Sequence, residues 1–144
     1  MFDILMVVSE AIPYSKTGGL GDVGGALPSA LSRLGHRVTV VTPRYRGIPE
    51  GETVASFGRG AWLGAPEFRV LESVHDDGVR FWFVDCPAYY DREDLYADAR
   101  GDFPDNHLRF ALLSRAALEC AAFTGMQPSV VHAHDWQAGL VPVY

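Results

Sequence analysis

The stretch SKTGGLGDVGGALP, Ser15 to Pro28, sets five glycines around one lysine and one aspartate. A tight turn needs one glycine or two, and each glycine inside a helix weakens it. A denser cluster feeding a helix N-terminus does something else: it presents bare N–H groups and a partial positive charge to an anion. Lys16 stands two residues before Gly18–Gly19, so its ammonium can sit beside the same anion. The competing reading is a surface loop with a solvated lysine, and spacing alone leaves both open. Gly19-Leu-Gly21-Asp-Val-Gly24 matches G-x-G-x-x-G in form only. The dinucleotide fingerprint puts its first glycine directly after the strand and an acidic residue at the end of the next. Here the first apolar run ends at Val8, and the second strand closes on Thr42, Pro43 and Arg44. A G-x-x-x-x-G-K-[ST] loop is also missing, because the lysine precedes the glycines. A nicotinamide-linked oxidoreductase therefore fits poorly.

A second concentration is VVHAHDWQAG, Val130 to Gly139. His132 and His134, two apart on a strand, point the same way, as metal ligands can. No Cys/His cluster elsewhere completes a site, so no metal is expected. Asp135 follows the strand, at the edge of a parallel sheet where open α/β folds bind ligands. There it can cap the next helix, hydrogen-bond a substrate hydroxyl, or do both. The third concentration is YYDREDLYADARGDFPDN, which places Tyr89, Tyr90 and Tyr96 among carboxylates. Aromatic faces with hydrogen-bonding edges suit sugar rings, although a long loop alone is a weak signal.

The elements that must carry these groups are legible in outline. Asp3–Val8 reads as a buried strand. A helix is expected from Gly21 or Asp22 to about Leu34, with Asp22 as N-cap, Gly35 as the stop, and Pro28 kinking it or dividing it. His36–Thr42 is a β-branched strand, which makes a βαβ unit with two parallel strands. Alternation around Asp77–Gly78 in EFRVLESVHDDGVRFWFVDC predicts a hairpin. A second long helix should run from Asp105 as cap to about Thr124, stopping at Gly125. Ser129–Ala133 reads as another strand, and Asp135 as the opening of another helix. The expected fold class is α/β, a Rossmann-like parallel-core sheet with flanking helices and an inserted hairpin.

The 144 residues suit one domain or part of a larger protein. Acidic residues outnumber Lys and Arg by 18 to 12 for a net charge of −6, which argues against general affinity for nucleic acid or an anionic membrane. No apolar run reaches the roughly 18 residues of a spanning helix. The N-terminus carries Asp3 and no basic segment, so a secretion signal is not expected. Cys86 and Cys120 read as reduced core thiols, and the cytoplasm is the expected location. The final GLVPVY is apolar and ends within an element, from which we expect a longer protein beyond it.

Taken together, these segments resemble the N-terminal domain of the bacterial glycogen synthase and plant starch synthase family. SEAIPYSKTGGLGDVGGALP, Ser9 to Pro28, resembles that family's signature loop; VVHAHDWQAGLVP resembles its second signature, and DNHLRFALLSRAALE the helix between them. The resemblance covers the whole chain. It implies the first part of the N-terminal, glucan-acceptor-side domain of a GT-B glycosyltransferase, residues 1–144, without the C-terminal nucleotide-binding domain. It implies transfer of glucose from ADP-glucose to the non-reducing end of an α-1,4-glucan with retention, and no cofactor. By the same resemblance Lys16 contacts the donor phosphates with Gly18 and Gly19 nearby, and Asp135 binds the transferred glucose or the acceptor. Tyr96 matches a tyrosine of the sugar site, Glu10 and Asp22 line or shape the cleft, and His134 orients Asp135. The isolated chain is expected to be inactive. The alternative is a stand-alone module that binds glucan or a sugar nucleotide without turnover.

Overall fold

The computed structural model describes residues 1–59 and 64–144. Its centre is a sheet of six strands in the order β3-β4-β5-β2-β1-β8. β1 (Asp3–Val7), β2 (Arg37–Pro43), β5 (Arg80–Asp85) and β8 (Val130–Ala133) run parallel to one another. β3 (Glu52–Phe57) and β4 (Phe68–Val74) add an antiparallel wing beside β5. The fold is therefore the α/β class expected, with a parallel core and an inserted hairpin.

Continuous burial along β1 and β2 follows from helices lying on both sheet faces. α1 (Gly19–Arg33) packs on β2, and α3 (Asn106–Phe123) on β1, β2 and β5. Alternation in β5 divides its side chains between the faces. Phe81 and Phe83 meet the ring of Tyr14, while Trp82 points the other way and donates its indole N–H to Glu72 at 2.8 Å. α1 and α3 stop where expected, at Gly35 and Gly125, each followed in left-handed backbone (φ 86° and 72°) that only glycine enters without strain. Cys86 and Cys120 are buried and unpaired.

Four local expectations are corrected. α1 begins at Gly19, with Gly18 as N-cap, so Asp22 lies in the first turn instead of capping it. Pro28 does not divide α1; it is buried inside one continuous helix, where packing outweighs the one lost backbone bond. Asp105 does stand at the N-cap of α3 but makes no side-chain cap, its carboxylate being taken by Arg92. After Asp135 the chain forms only 3-10 turns, Trp136–Ala138 and Val141–Val143, because Gly139 and Pro142 interrupt an α-helix. β3 had no clear sequence signal: half of its residues are exposed and only Ala55 is buried. Between β5 and α3 lie α2 (Pro87–Tyr90) and a small ribbon of β6 (Ala97–Asp98) and β7 (Gly101–Asp102).

Candidate active site

β1 and β8 are neighbours in parallel register, Val7 beside Ala133, and the amide of His134 donates to the Val7 carbonyl at 3.0 Å. The two strands therefore release Ser9–Glu10 and His134–Asp135 side by side at the carboxyl edge of the sheet. Glu10 is 3% exposed and gathers the surrounding loops. One carboxylate oxygen accepts from the amides of Thr17 and Gly18; the other accepts from the Thr17 hydroxyl at 2.7 Å and from the Tyr96 hydroxyl at 2.6 Å. Burial pushes its pKa up, but these bonds from Tyr96, Thr17 and Gly18 outweigh burial and hold it below the ordinary 4.5. Glu10 thus ties down the two amides that lead into α1, while the first-turn amides of the helix itself receive no side-chain cap among the described residues.

The glycines of the loop fall into two groups. A Cβ on Gly24 would meet the Glu10 carbonyl oxygen at 2.1 Å, and one on Gly25 would meet the Ile12 side chain at 2.3 Å. Those two let α1 lie directly on the chain leaving β1. Among the described residues nothing lies within 4 Å of the same position on Gly18 or Gly19. No internal contact requires a glycine there, and the first-turn amides of α1 stay open from that side. Lys16 Nζ donates to Asp22 at 2.6 Å, with both side chains about half exposed.

Tyr96 closes the other flank. Its own proton goes to Glu10, so Ser9 Oγ, 2.8 Å away, donates to it. Burial and the adjacent Glu10 charge push its hydroxyl well above the ordinary 10, so it stays a donor. Its ring lies 5.8 Å from Phe110 and 6.3 Å from Trp136, which is half exposed. Asp135 is the sole non-glycine residue with positive φ among the described residues (φ 60°, ψ −174°). That region is almost confined to glycine and costs about 1–3 kcal/mol for other residues. Its carboxylate accepts the Trp136 amide at 2.7 Å and is otherwise exposed. The ring of His134 lies 4.0 Å from that of His132; burial, then His132, lowers its pKa below 6.5, and its buried Nε2 has no partner among the described residues.

The structure thus brings Glu10, Gly18 and Tyr96 into one network with Thr17, ties Lys16 to Asp22 over Gly21, leaves Gly19 exposed at the start of α1, and sets His134–Asp135 just past the end of β8. Sequence reasoning missed Ser9, Asn106 and Arg109. The signal for Arg109 was present: an arginine set directly between Leu108 and Phe110 in α3 must find polar partners once buried.

A parallel-core sheet that gathers its charged and aromatic groups at the carboxyl ends of neighbouring strands defines the Rossmann-like class of α/β domains. Within that class the chain belongs to the starch synthase catalytic domain family, whose model matches residues 3–144. It is similar to the glycogen synthase of Koribacter versatilis (strain Ellin345), 45% identical over 143 residues, covering 97% of this chain and 29% of that protein. The glycogen synthase of Myxococcus xanthus (strain DK1622) is 44% identical over 146 residues, covering 98% and 31%. Among solved structures, the catalytic domain of starch synthase IV from Arabidopsis thaliana, bound to ADP and acarbose, matches with a TM-score of 0.78 and 28% identity, over 97% of this chain and 29% of that one. The chain therefore spans under a third of the length of these relatives. No helix among the described residues is long and apolar enough to cross a membrane.

Proposed function

We propose that this chain forms part of the acceptor-side, N-terminal domain of a cytoplasmic GT-B glucosyltransferase that moves glucose from ADP-glucose to the non-reducing end of an α-1,4-glucan with retention. The observation that carries the reading is the Lys16–Gly19 segment. Glu10 takes the amides of Thr17 and Gly18 and so fixes the loop. The first-turn amides of α1 beyond them receive no side-chain cap among the described residues, and Gly18 and Gly19 carry no side chain to cover them, with an ammonium alongside. In the reaction the bond from C1 of glucose to the diphosphate oxygen breaks, a bond from C1 to the acceptor hydroxyl oxygen forms, and the proton of that hydroxyl passes to the departing diphosphate. Negative charge builds on the leaving diphosphate, and donors already aimed at it lower the barrier without reorganising. Asp22 keeps Lys16 in place until a phosphate oxygen replaces its carboxylate as partner. Asp135, held in a strained conformation at the neighbouring strand end, offers an acceptor to sugar hydroxyls, and Tyr96 with Trp136 offers aromatic faces to the ring. The ADP and acarbose bound by the Arabidopsis relative are a nucleotide diphosphate and an oligosaccharide-like ligand, the two chemistries this edge is suited to hold. The partner domain that reads the base lies, in this reading, elsewhere in the complete enzyme.

The test is Lys16→Gln in the complete polypeptide. Loss of one charge-assisted contact to the departing group should lower turnover by about 10²–10³-fold, as for other single electrostatic donors, and weaken ADP-glucose binding. The fold should be unaffected, since an exposed Lys–Asp pair contributes about 0–1 kcal/mol. Near-wild-type kinetics would refute the assigned role. Donor binding by the complete wild-type polypeptide without glucan elongation would point instead to a binding module.

A further inference from the structure

We infer that Arg109, together with Asn106, is a positioning residue for the phosphate-cradling loop, acting through Tyr96 and Glu10 without touching substrate. Its functional meaning rests on the reading of the Lys16–Gly19 segment given above; its structural content does not.

Arg109 is fully buried, and among the described residues no carboxylate pairs with it. Its guanidinium is spent on the loop between β5 and α3. Nε donates to the Tyr89 carbonyl at 2.7 Å, and Nη1 donates to the Leu95 carbonyl at 2.9 Å and to Asn106 Oδ1 at 2.6 Å. Asn106 Nδ2 in turn donates to the Tyr96 carbonyl at 2.9 Å. Two consecutive carbonyls, Leu95 and Tyr96, are thereby fixed from α3. The Tyr96 hydroxyl then reaches Glu10 at 2.6 Å, and Glu10 holds the Thr17 and Gly18 amides. The rings of Phe103 and Phe110 stand 5.1 and 5.2 Å from the guanidinium carbon, so the cation is held by aromatic faces as well as carbonyls. Nη2 has no partner. A buried arginine without a counter-charge is a poor device for stability alone, since apolar side chains of similar volume would fill the space at no desolvation cost. What an apolar side chain cannot do is hold several loop carbonyls at fixed separations, which a planar fork with several donors does.

The experiment is site-resolved amide hydrogen exchange on the unliganded chain carrying Arg109→Met, Arg109→Lys or Asn106→Ala, with Tyr96→Phe for comparison. The expected result is exchange at Thr17 and Gly18 faster by about tenfold or more, with the amides of β1 and β2 unchanged, since local opening is separable from global unfolding. Lysine keeps the charge but lacks the fork, so Arg109→Lys should fail to restore protection. Asn106 is not fully buried, so Asn106→Ala decides the matter if Arg109→Met does not fold. Unchanged exchange at Thr17 and Gly18 in a folded variant would overturn the inference. So would equal acceleration in the strands, or rescue by lysine. Because no donor is present, failure of the donor-phosphate reading would leave this result standing, and failure here would leave Lys16 to be judged by its own kinetics.

Discussion

Glu10→Gln isolates the charge at the centre of the network while keeping its size. Glu10 accepts four hydrogen bonds, two from backbone amides and two from hydroxyls. Bonds to a charged acceptor are worth about 1.5–3 kcal/mol and neutral ones about 0.5–1.5, so each is weakened by about 1 kcal/mol. The glutamine oxygen can stay on the Thr17 and Gly18 amides. Its nitrogen then faces the Thr17 and Tyr96 hydroxyls, which can turn to accept, so the loss comes to about 2–3 kcal/mol instead of the full sum. For a chain of 144 residues that lowers Tm by about 6–9 °C. The assay is urea or thermal unfolding of both proteins from pH 7 to pH 3. Glu10 titrates below 4.5 in the folded state, so its stabilisation is complete above that ordinary value and lost as pH falls through the lower folded pKa. Glutamine does not titrate. The stability gap should therefore be constant near neutrality and shrink in acid. A gap below about 0.5 kcal/mol at pH 7, the size of an ordinary surface change, or one independent of pH, would refute the reasoning.

The two groups of glycines should separate stability from binding. Gly24→Ala, driving a methyl into the Glu10 carbonyl, should cost about 3 kcal/mol or more by overpacking, whereas Gly18→Ala and Gly19→Ala should shift unfolding by at most about 0.5 kcal/mol yet weaken ADP-glucose binding by the complete enzyme. Asp135→Gly relieves the positive φ while Asp135→Ala keeps it, so the glycine variant should be the more stable by about 1 kcal/mol or more in denaturant melts; equal stabilities would show that no strain is stored there. His134 has a folded pKa below 6.5, so the unfolded chain takes up its proton first and His134 lowers stability as pH falls from about 7 to 5; His134→Gln should flatten that part of the profile.

How much of this was legible beforehand depends on the distance over which each feature is decided. The strand–helix–strand unit, the hairpin at Asp77–Gly78 and the stops at Gly35 and Gly125 were readable, because periodicity, β-branching and the left-handed turn are properties of a few consecutive residues. Asp22 was misplaced as a cap because the helix starts earlier, at Gly19 behind a Gly18 N-cap, which leaves Asp22 inside the first turn, paired with Lys16. β3 was missed because an edge strand is held by backbone pairing to β4, for which an exposed run of side chains gives no sign. The terminal helix was overextended by weighing Asp135 above Gly139 and Pro142.

The sequence by itself determined the family, the fold class and the residues able to do chemistry, since motif identity and local backbone preference are written in adjacent positions. Only the tertiary structure decided that Glu10 meets Tyr96 across 86 positions of chain, that Gly24 serves packing while Gly18 stays open, and that Arg109 braces the loop from within α3. Those outcomes depend on which groups lose water together and must satisfy one another's donors and acceptors, a condition that exists only once the chain is folded.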